Sequence, residues 1–176
     1  LVPVISEMMA TEKIGRNRVQ SLMPKLTMFG ESKQLGYYYR PSPDGERILL
    51  GGRRGHNDRD RARRHLHRAL ANIFPALDDV RLDAHWQGFV AFPFDQLPKL
   101  IVRDGIIHPT GFCGSGTVWA RWLGQKAALM ILGEEGDSVF SNLPMHTMPF
   151  YSGDPWFMPL AMSYYRLRDS LSASTK

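Results

Sequence analysis

Ile106-Ile107-His108-Pro109-Thr110-Gly111-Phe112-Cys113-Gly114-Ser115-Gly116-Thr117-Val118 begins as a short β-prone run, passes glycines at 111, 114 and 116, and enters a proline-free segment reaching Leu132. A second β-prone run, Lys99-Leu100-Ile101-Val102-Arg103, precedes it. Residues 117–132 are rich in Ala, Leu, Met and Trp, hold one interior glycine at 124, and are followed by Gly133, where a glycine closes a helix. The order is strand, glycine-rich loop, helix. The first turn of such a helix has N–H groups without intrahelical acceptors and a partial positive charge, and glycines let a ligand approach the backbone. The spacing Gly-x-x-Gly-x-Gly is not the dinucleotide fingerprint. On spacing alone two readings stand: a ligand loop, or a turn where a helix packs closely on a sheet.

Upstream, Leu35-Gly36-Tyr37-Tyr38-Tyr39-Arg40 and Arg47-Ile48-Leu49-Leu50-Gly51-Gly52-Arg53 flank a turn rich in Pro, Asp and Gly, which predicts a hairpin. Side chains alternate along a strand, so Tyr37 and Tyr39 share one face and Tyr38 takes the other. Ala62, Leu66, Ala69, Leu70, Ile73 and Phe74 fall on one stripe of a helix over 58–74, with Asn57 or Asp58 as cap and Pro75 as stop. Residues 80–90 alternate apolar and polar through Gln87, the pattern of a half-buried strand. Residues 2–12 read as extended and 15–34 as loop, broken at Pro24 and Gly30. The proline-punctuated tail leads into a last helix over 160–171. Together these predict an α+β fold in which a mostly antiparallel sheet from residues 2–12, 36–53 and 79–92 carries the 58–74 helix.

The 176 residues are 43% apolar, enough for a sizeable core. No run of about 18 apolar residues exists, so no membrane span is expected. A single cysteine excludes an internal disulfide and fits a reducing, cytoplasmic setting. The net charge of +5 has one source: residues 53–68 hold arginines 53, 54, 59, 61, 63, 64 and 68 against Asp58 and Asp60. Such a run reads as the solvated face of the helix, with no nucleic-acid partner expected; the alternative is a non-enzymatic module that binds nucleic acid or another polyanion through it. That alternative would show as binding that weakens steeply with salt. Histidines 56, 65, 67, 85, 108 and 146 form no metal-ligand spacing, and no metal is expected. Cys113 beside a helix start is a conceivable nucleophile, but no base is placed for it.

Residues 108–118 resemble the C-terminal flavin loop of the D-amino-acid-oxidase-like FAD-dependent oxidoreductases, where an apolar strand, Thr-Gly-Phe, a Gly-x-Gly step and a long helix follow one another. The hairpin pattern Tyr-x-Arg-x-Ser-Pro-Asp-Gly-x-x-Ile-Leu-x-Gly-Gly-Arg is similar to that family too. So are Trp86-x-Gly88, Asp95 with Pro98, and the closing Pro155-Trp156-Phe157 and Tyr164-Tyr165-Arg166. Within the family the resemblance is to the bacterial amine and amino-acid oxidases, gamma-glutamylputrescine oxidase-like. Two departures stand out: Ser115 replaces the histidine of many relatives, and Phe92 or Pro93 replaces a threonine.

The resemblance implies that Gly111, Phe112, Cys113, Gly114, Ser115, Gly116, Thr117 and Val118 contact the flavin. It implies hydride transfer from a small amine or amino acid, with Tyr37, Tyr39 and Arg53 lining the substrate pocket; no catalytic residue is assigned. It divides the chain into substrate-domain sheet and basic helix (1–98), a remnant of a Rossmann-like FAD domain (99–133), and a tail with its helix (134–176). The chain begins without methionine and lacks a Gly-x-Gly-x-x-Gly unit, which suggests a segment of a longer protein. Apolar surface on Trp119, Trp122 and Leu129 would then be open and favour self-association.

FAD is thus expected in the longer parent and not in this chain alone, because dinucleotide affinity comes largely from pyrophosphate on the first helix N-terminus and ribose on an acid. The purified chain is expected to be colourless and without oxidase activity; stoichiometric flavin absorbance would contradict this.

Overall fold

The computed structural model describes residues 1–53 and 58–173; Arg54, His56 and Asn57 lie outside them. The elements are β1 (Val2–Thr11), α1 (Arg16–Leu22), β2 (Phe29–Gly30), β3 (Tyr37–Pro41), β4 (Ile48–Gly52), α2 (Arg59–Ile73), β5 (Leu82–Phe92), β6 (Lys99–Arg103), β7 (Ile106–Thr110), α3 (Gly116–Ile131) and α4 (Met158–Ala173), with a 3-10 turn at Pro75–Leu77. The chain divides into a sheet unit, Ile5–Gly88 with Phe157–Lys176, and a loop unit, Leu1–Val4 with Phe89–Trp156. These bounds differ from the sequence-based division: residues 89–98 group with the glycine loop, and the tail divides after Trp156.

The sheet has the order β2-β3-β4-β1-β5. The hairpin forms with Tyr37 opposite Gly52 and Pro41 opposite Ile48, and β1 flanks it with Glu7 opposite Gly52 and Met9 opposite Leu50. One row across the ladder is therefore Met9, Leu50, Tyr39 and Phe29. Its residues join a core with Leu66, Ala69, Leu70 and Phe74, so the apolar stripe of α2 covers this face. Asp58 caps α2, its carboxylate accepting the N–H of Asp60 at 2.9 Å and of Arg61 at 3.2 Å. Those two bonds hold the Asp58 carboxyl below its ordinary pKa. Arg59, Arg61, Arg63, Arg64 and Arg68 are exposed on the remaining faces.

Residues 15–34 are not simply loop: α1 places Val19 in the core, and Met23 follows it there. A seven-residue helix with no side-chain cap and one buried position has too little periodicity to be seen in sequence. The last helix is tied down by Asp169, whose two carboxylate oxygens accept the backbone N–H groups of Gln34 (2.9 Å) and Leu35 (3.0 Å). At the far end of the sheet, Arg81 donates its backbone N–H and its guanidinium to Glu12.

In the loop unit, β6 and β7 pair antiparallel from Lys99 opposite Thr110 to Arg103 opposite Ile106. Asp104 (φ 53°) and Gly105 (φ 75°) make the two-residue turn, the left-handed pair that an Asp-Gly step supplies. On its other side β6 meets residues 140–142 through Leu100 N–H to Phe140 O and Asn142 N–H to Leu100 O. Gly133 (φ 74°) closes α3 with the paired bonds Gly133 N–H to Met130 O and Glu134 N–H to Leu129 O, as its position in the sequence predicts.

The apolar surface of α3 lies elsewhere than expected. Trp119 and Trp122 pack edge-on against Phe140, with ring centroids 5.1 and 5.9 Å away, and Leu129 is half-buried. Val118, Ile131 and Leu132 are the exposed residues instead, at 64%, 76% and 70%. Sequence periodicity could not see a partner lying twenty residues downstream. Among the described residues no helix is long and apolar enough to cross a membrane.

Leu66 is fully buried on the α2 stripe. Leu66→Ala is expected to cost about 2–5 kcal/mol, read as a lower urea midpoint at unchanged slope.

Candidate functional site

The glycine loop is built on a platform formed by residues 91–98. Gly111 has φ 72°, and a Cβ there would sit 2.4 Å from the Pro93 ring and 3.5 Å from Leu97 O. Only glycine meets both conditions without distortion. Cys113 (φ 51°) donates its N–H to Ala91 O at 3.4 Å, and its Sγ reaches Gly111 O at 3.2 Å and Gln96 O at 3.5 Å. Gly114 has φ 89°, and Ser115 N–H donates to Phe112 O at 2.8 Å, which turns the chain into α3.

Ser115 occupies the N-cap of α3 but makes no side-chain cap bond. Gly114, Ser115, Thr117 and Val118 are exposed, while Gly111 is buried and Phe112 half-buried. The loop therefore shows solvent its backbone and the first turn of a sixteen-residue helix, whose N–H groups favour an electron-rich acceptor. That donor set fits the carbonyl edge of a flavin. Among the described residues no cluster of His, Cys, Asp and Glu is placed to hold a metal ion.

Beneath the loop lies a pair with no signal in residue periodicity. The Lys99 side chain is fully buried, and its ammonium donates to Asp95, itself 25% exposed. Asp95 also accepts the backbone N–H of Leu97 at 3.1 Å. The Lys99 bond, then the Leu97 bond, hold the Asp95 carboxyl below its ordinary pKa against the opposing effect of desolvation.

The other predicted site residues belong to the sheet unit. Tyr37 and Tyr39 pack on the α2 side: the Tyr37 hydroxyl is 2.8 Å from His65 Nε2, and Tyr39 stands edge-on to Phe74 at 5.4 Å. Glu7, in the same cross-strand row as Tyr37, is buried with His85 Nε2 3.2 Å from its Oε2. Tyr38 takes the opposite face, its hydroxyl 2.9 Å from Ser6 Oγ. A Cβ at Gly51 would meet Met8 Sδ at 2.1 Å and the Tyr38 ring at 2.6 Å, so both side chains fold across this glycine. Arg53 follows β4 and is exposed. The structure thus brings the eight loop residues together, and it puts Tyr37 and Tyr39 on the face opposite Tyr38.

A family model described as FAD dependent oxidoreductase matches residues 1–130. Gamma-glutamylputrescine oxidoreductase of Escherichia coli (strain K12) is 29% identical over 177 residues, covering 97% of this chain and 41% of that protein. The probable oxidoreductase OrdL of Rhizobium meliloti (strain 1021) is 31% identical over 168 residues, covering 89% and 38%. Among solved structures, glycine oxidase from Geobacillus kaustophilus superimposes with a TM-score of 0.60 at 18% identity, over 85% of this chain and 40% of that one. L-proline dehydrogenase from P. horikoshii gives 0.58 at 19%, over 91% and 41%. The two structures share the fold, and the chain spans about two fifths of the length of the proteins it matches.

Gly111→Ala places a Cβ against Pro93 at a positive φ. It is expected to destabilise by at least about 1 kcal/mol and to speed modification of Cys113 by a thiol reagent. An unchanged rate and urea midpoint would refute the close approach.

Proposed function

This chain belongs to the family of FAD-dependent oxidoreductases, and from that membership we propose that the protein carrying it oxidises the C–N bond of an amine or amino acid. FAD supplies the hydride acceptor when bound. The observation that carries the reading is the glycine loop: an exposed turn without side-chain bulk, ending on the N-terminus of α3, in the chain segment that the family model spans. The matched proteins whose names state a substrate name amines or amino acids: gamma-glutamylputrescine, glycine and L-proline.

In this proposal Gly111, Phe112, Cys113, Gly114, Ser115, Gly116, Thr117 and Val118 form the surface that meets the flavin. The α3 dipole and its first N–H groups favour negative charge on the carbonyl edge of the reduced ring. Ser115 contributes backbone and a hydroxyl where many relatives place an imidazole. On the sheet unit, the substrate wall is the face that α2 leaves open, carrying Tyr38, Ser6 and Met8 across the flat Gly51. Tyr37 and Tyr39 brace that wall from behind, and Arg53 is the cation offered to a substrate carboxylate. The exposed arginines of α2 are its solvated face.

The test uses the protein expressed from the complete reading frame that encodes these residues. Its flavin absorbance is followed as amines and amino acids are added without oxygen, and bleaching by a primary or secondary amine is expected. A purified protein that takes up no flavin, or a flavin that none of these compounds bleaches, overturns the reading.

A further inference from the structure

We propose that Lys99 and Asp95 are a positioning pair that sets the conformation of the 111–116 loop from beneath. The inference rests on the reading of that loop as the flavin surface; the latch itself is a matter of this chain's own contacts. Three observations carry it. First, Lys99 is fully buried yet charged, and a desolvated ammonium is tolerated only against a carboxylate in good geometry. Second, the pair adjoins both the strand that leads into the glycine turn and the segment that supports it. Lys99 lies opposite Thr110 in the β6–β7 ladder, one residue before Gly111, while Asp95 gathers Leu97 through its backbone N–H. Third, the platform that Asp95 shapes is what the loop rests on: the Pro93 ring and Leu97 O crowd Gly111, and Gln96 O accepts from Cys113 Sγ. Gln96 itself has φ 56° and donates its N–H to Pro93 O at 3.0 Å, a strained turn that needs an external hold.

The pair therefore acts on the flavin through the loop and touches no reacting atom. Removing Asp95 leaves the buried Lys99 charge uncompensated, and removing either partner releases the 93–98 platform, so the loop should open locally before the sheet unit unfolds. Lys99→Arg keeps the charge and should keep most of the hold.

Cys113 is the only cysteine in the chain and sits on the contact in question, so its modification by a disulfide reagent reports the loop without any flavin. Lys99→Met and Asp95→Asn are each expected to speed that reaction by at least about tenfold in native buffer, equivalent to about 1.4 kcal/mol of easier opening, with the far-ultraviolet circular dichroism retained. Lys99→Arg should restore a rate within about threefold of the parent, and Leu66→Ala, which weakens the sheet unit, should leave the rate near the parent value. Should Lys99→Met not fold, the double variant Lys99→Met with Asp95→Asn, which removes both charges, replaces it. Parent-like rates in the single variants overturn the proposal, as does loss of the whole chain's structure in every variant, which would make the pair a global prop. Because no flavin takes part, failure here is separate from failure of the amine-bleaching experiment.

Discussion

The sheet unit depends on one burial: the stripe of Ala62, Leu66, Ala69 and Leu70 on α2 against Met9, Leu50 and Tyr39 of the β1–β4–β3 ladder. Apolar area removed from water supplies most of the favourable free energy of such a unit, and the period-2 geometry of strands makes the choice of face all or none. Once Met9 and Leu50 point at α2, Tyr37, Tyr39 and Glu7 must point there too, and Ser6, Met8 and Tyr38 must not. The helix therefore covers Tyr37 and Tyr39 and leaves Tyr38 on the other face. It also explains why a segment so rich in arginine behaves as an ordinary amphipathic helix: its arginines lie off the apolar stripe, and Arg63 reaches back to the Leu82 carbonyl of β5.

Absence of Cβ atoms plays a second part. At Gly51 the backbone is flat enough for Met8 and Tyr38 to lie across it, and at Gly111 the chain turns with a positive φ directly against Pro93. These are different uses of glycine. The first makes a smooth surface on a strand; the second lets a loop press onto its support while presenting backbone outward. The loop unit adds aromatic packing, with Phe140 held by β6 and gripped by Trp119 and Trp122, so that α3 has a defined direction. A helix whose N-terminus must point at a bound group needs such an anchor along its length, because its dipole acts only within the first turn.

Charge is arranged locally throughout. Asp58 caps α2, Asp169 caps two orphan N–H groups ahead of β3, Glu12 clasps Arg81, and Asp95 neutralises Lys99. Each carboxylate satisfies a backbone N–H or a cation, and at Lys99 the cation is fully buried, where losing its partner is costly.

Much of this could be read from the amino-acid order. The hairpin around Asp44-Gly45, the α2 stripe with Asp58 and Pro75 at its ends, and the strand–loop–helix closed by Gly133 all arise from short-range periodicity and local backbone preference, and each carries its own signature. The family resemblance was legible for the same reason, since its motifs are short and their glycines, prolines and aromatics are chemically distinctive. The tertiary structure alone decided the rest. Which face of β3 meets α2 depends on pairing between Tyr39, Leu50 and Met9, residues far apart in the chain. The short α1 exists because Val19 and Met23 find the core, not because its sequence favours a helix. The shielding of Trp119 and Trp122 needs Phe140, and the importance of Lys99 needs its burial beside Asp95. Local sequence determines what a segment can become, whereas burial is set by partners distant in the chain, and only folding brings those partners together.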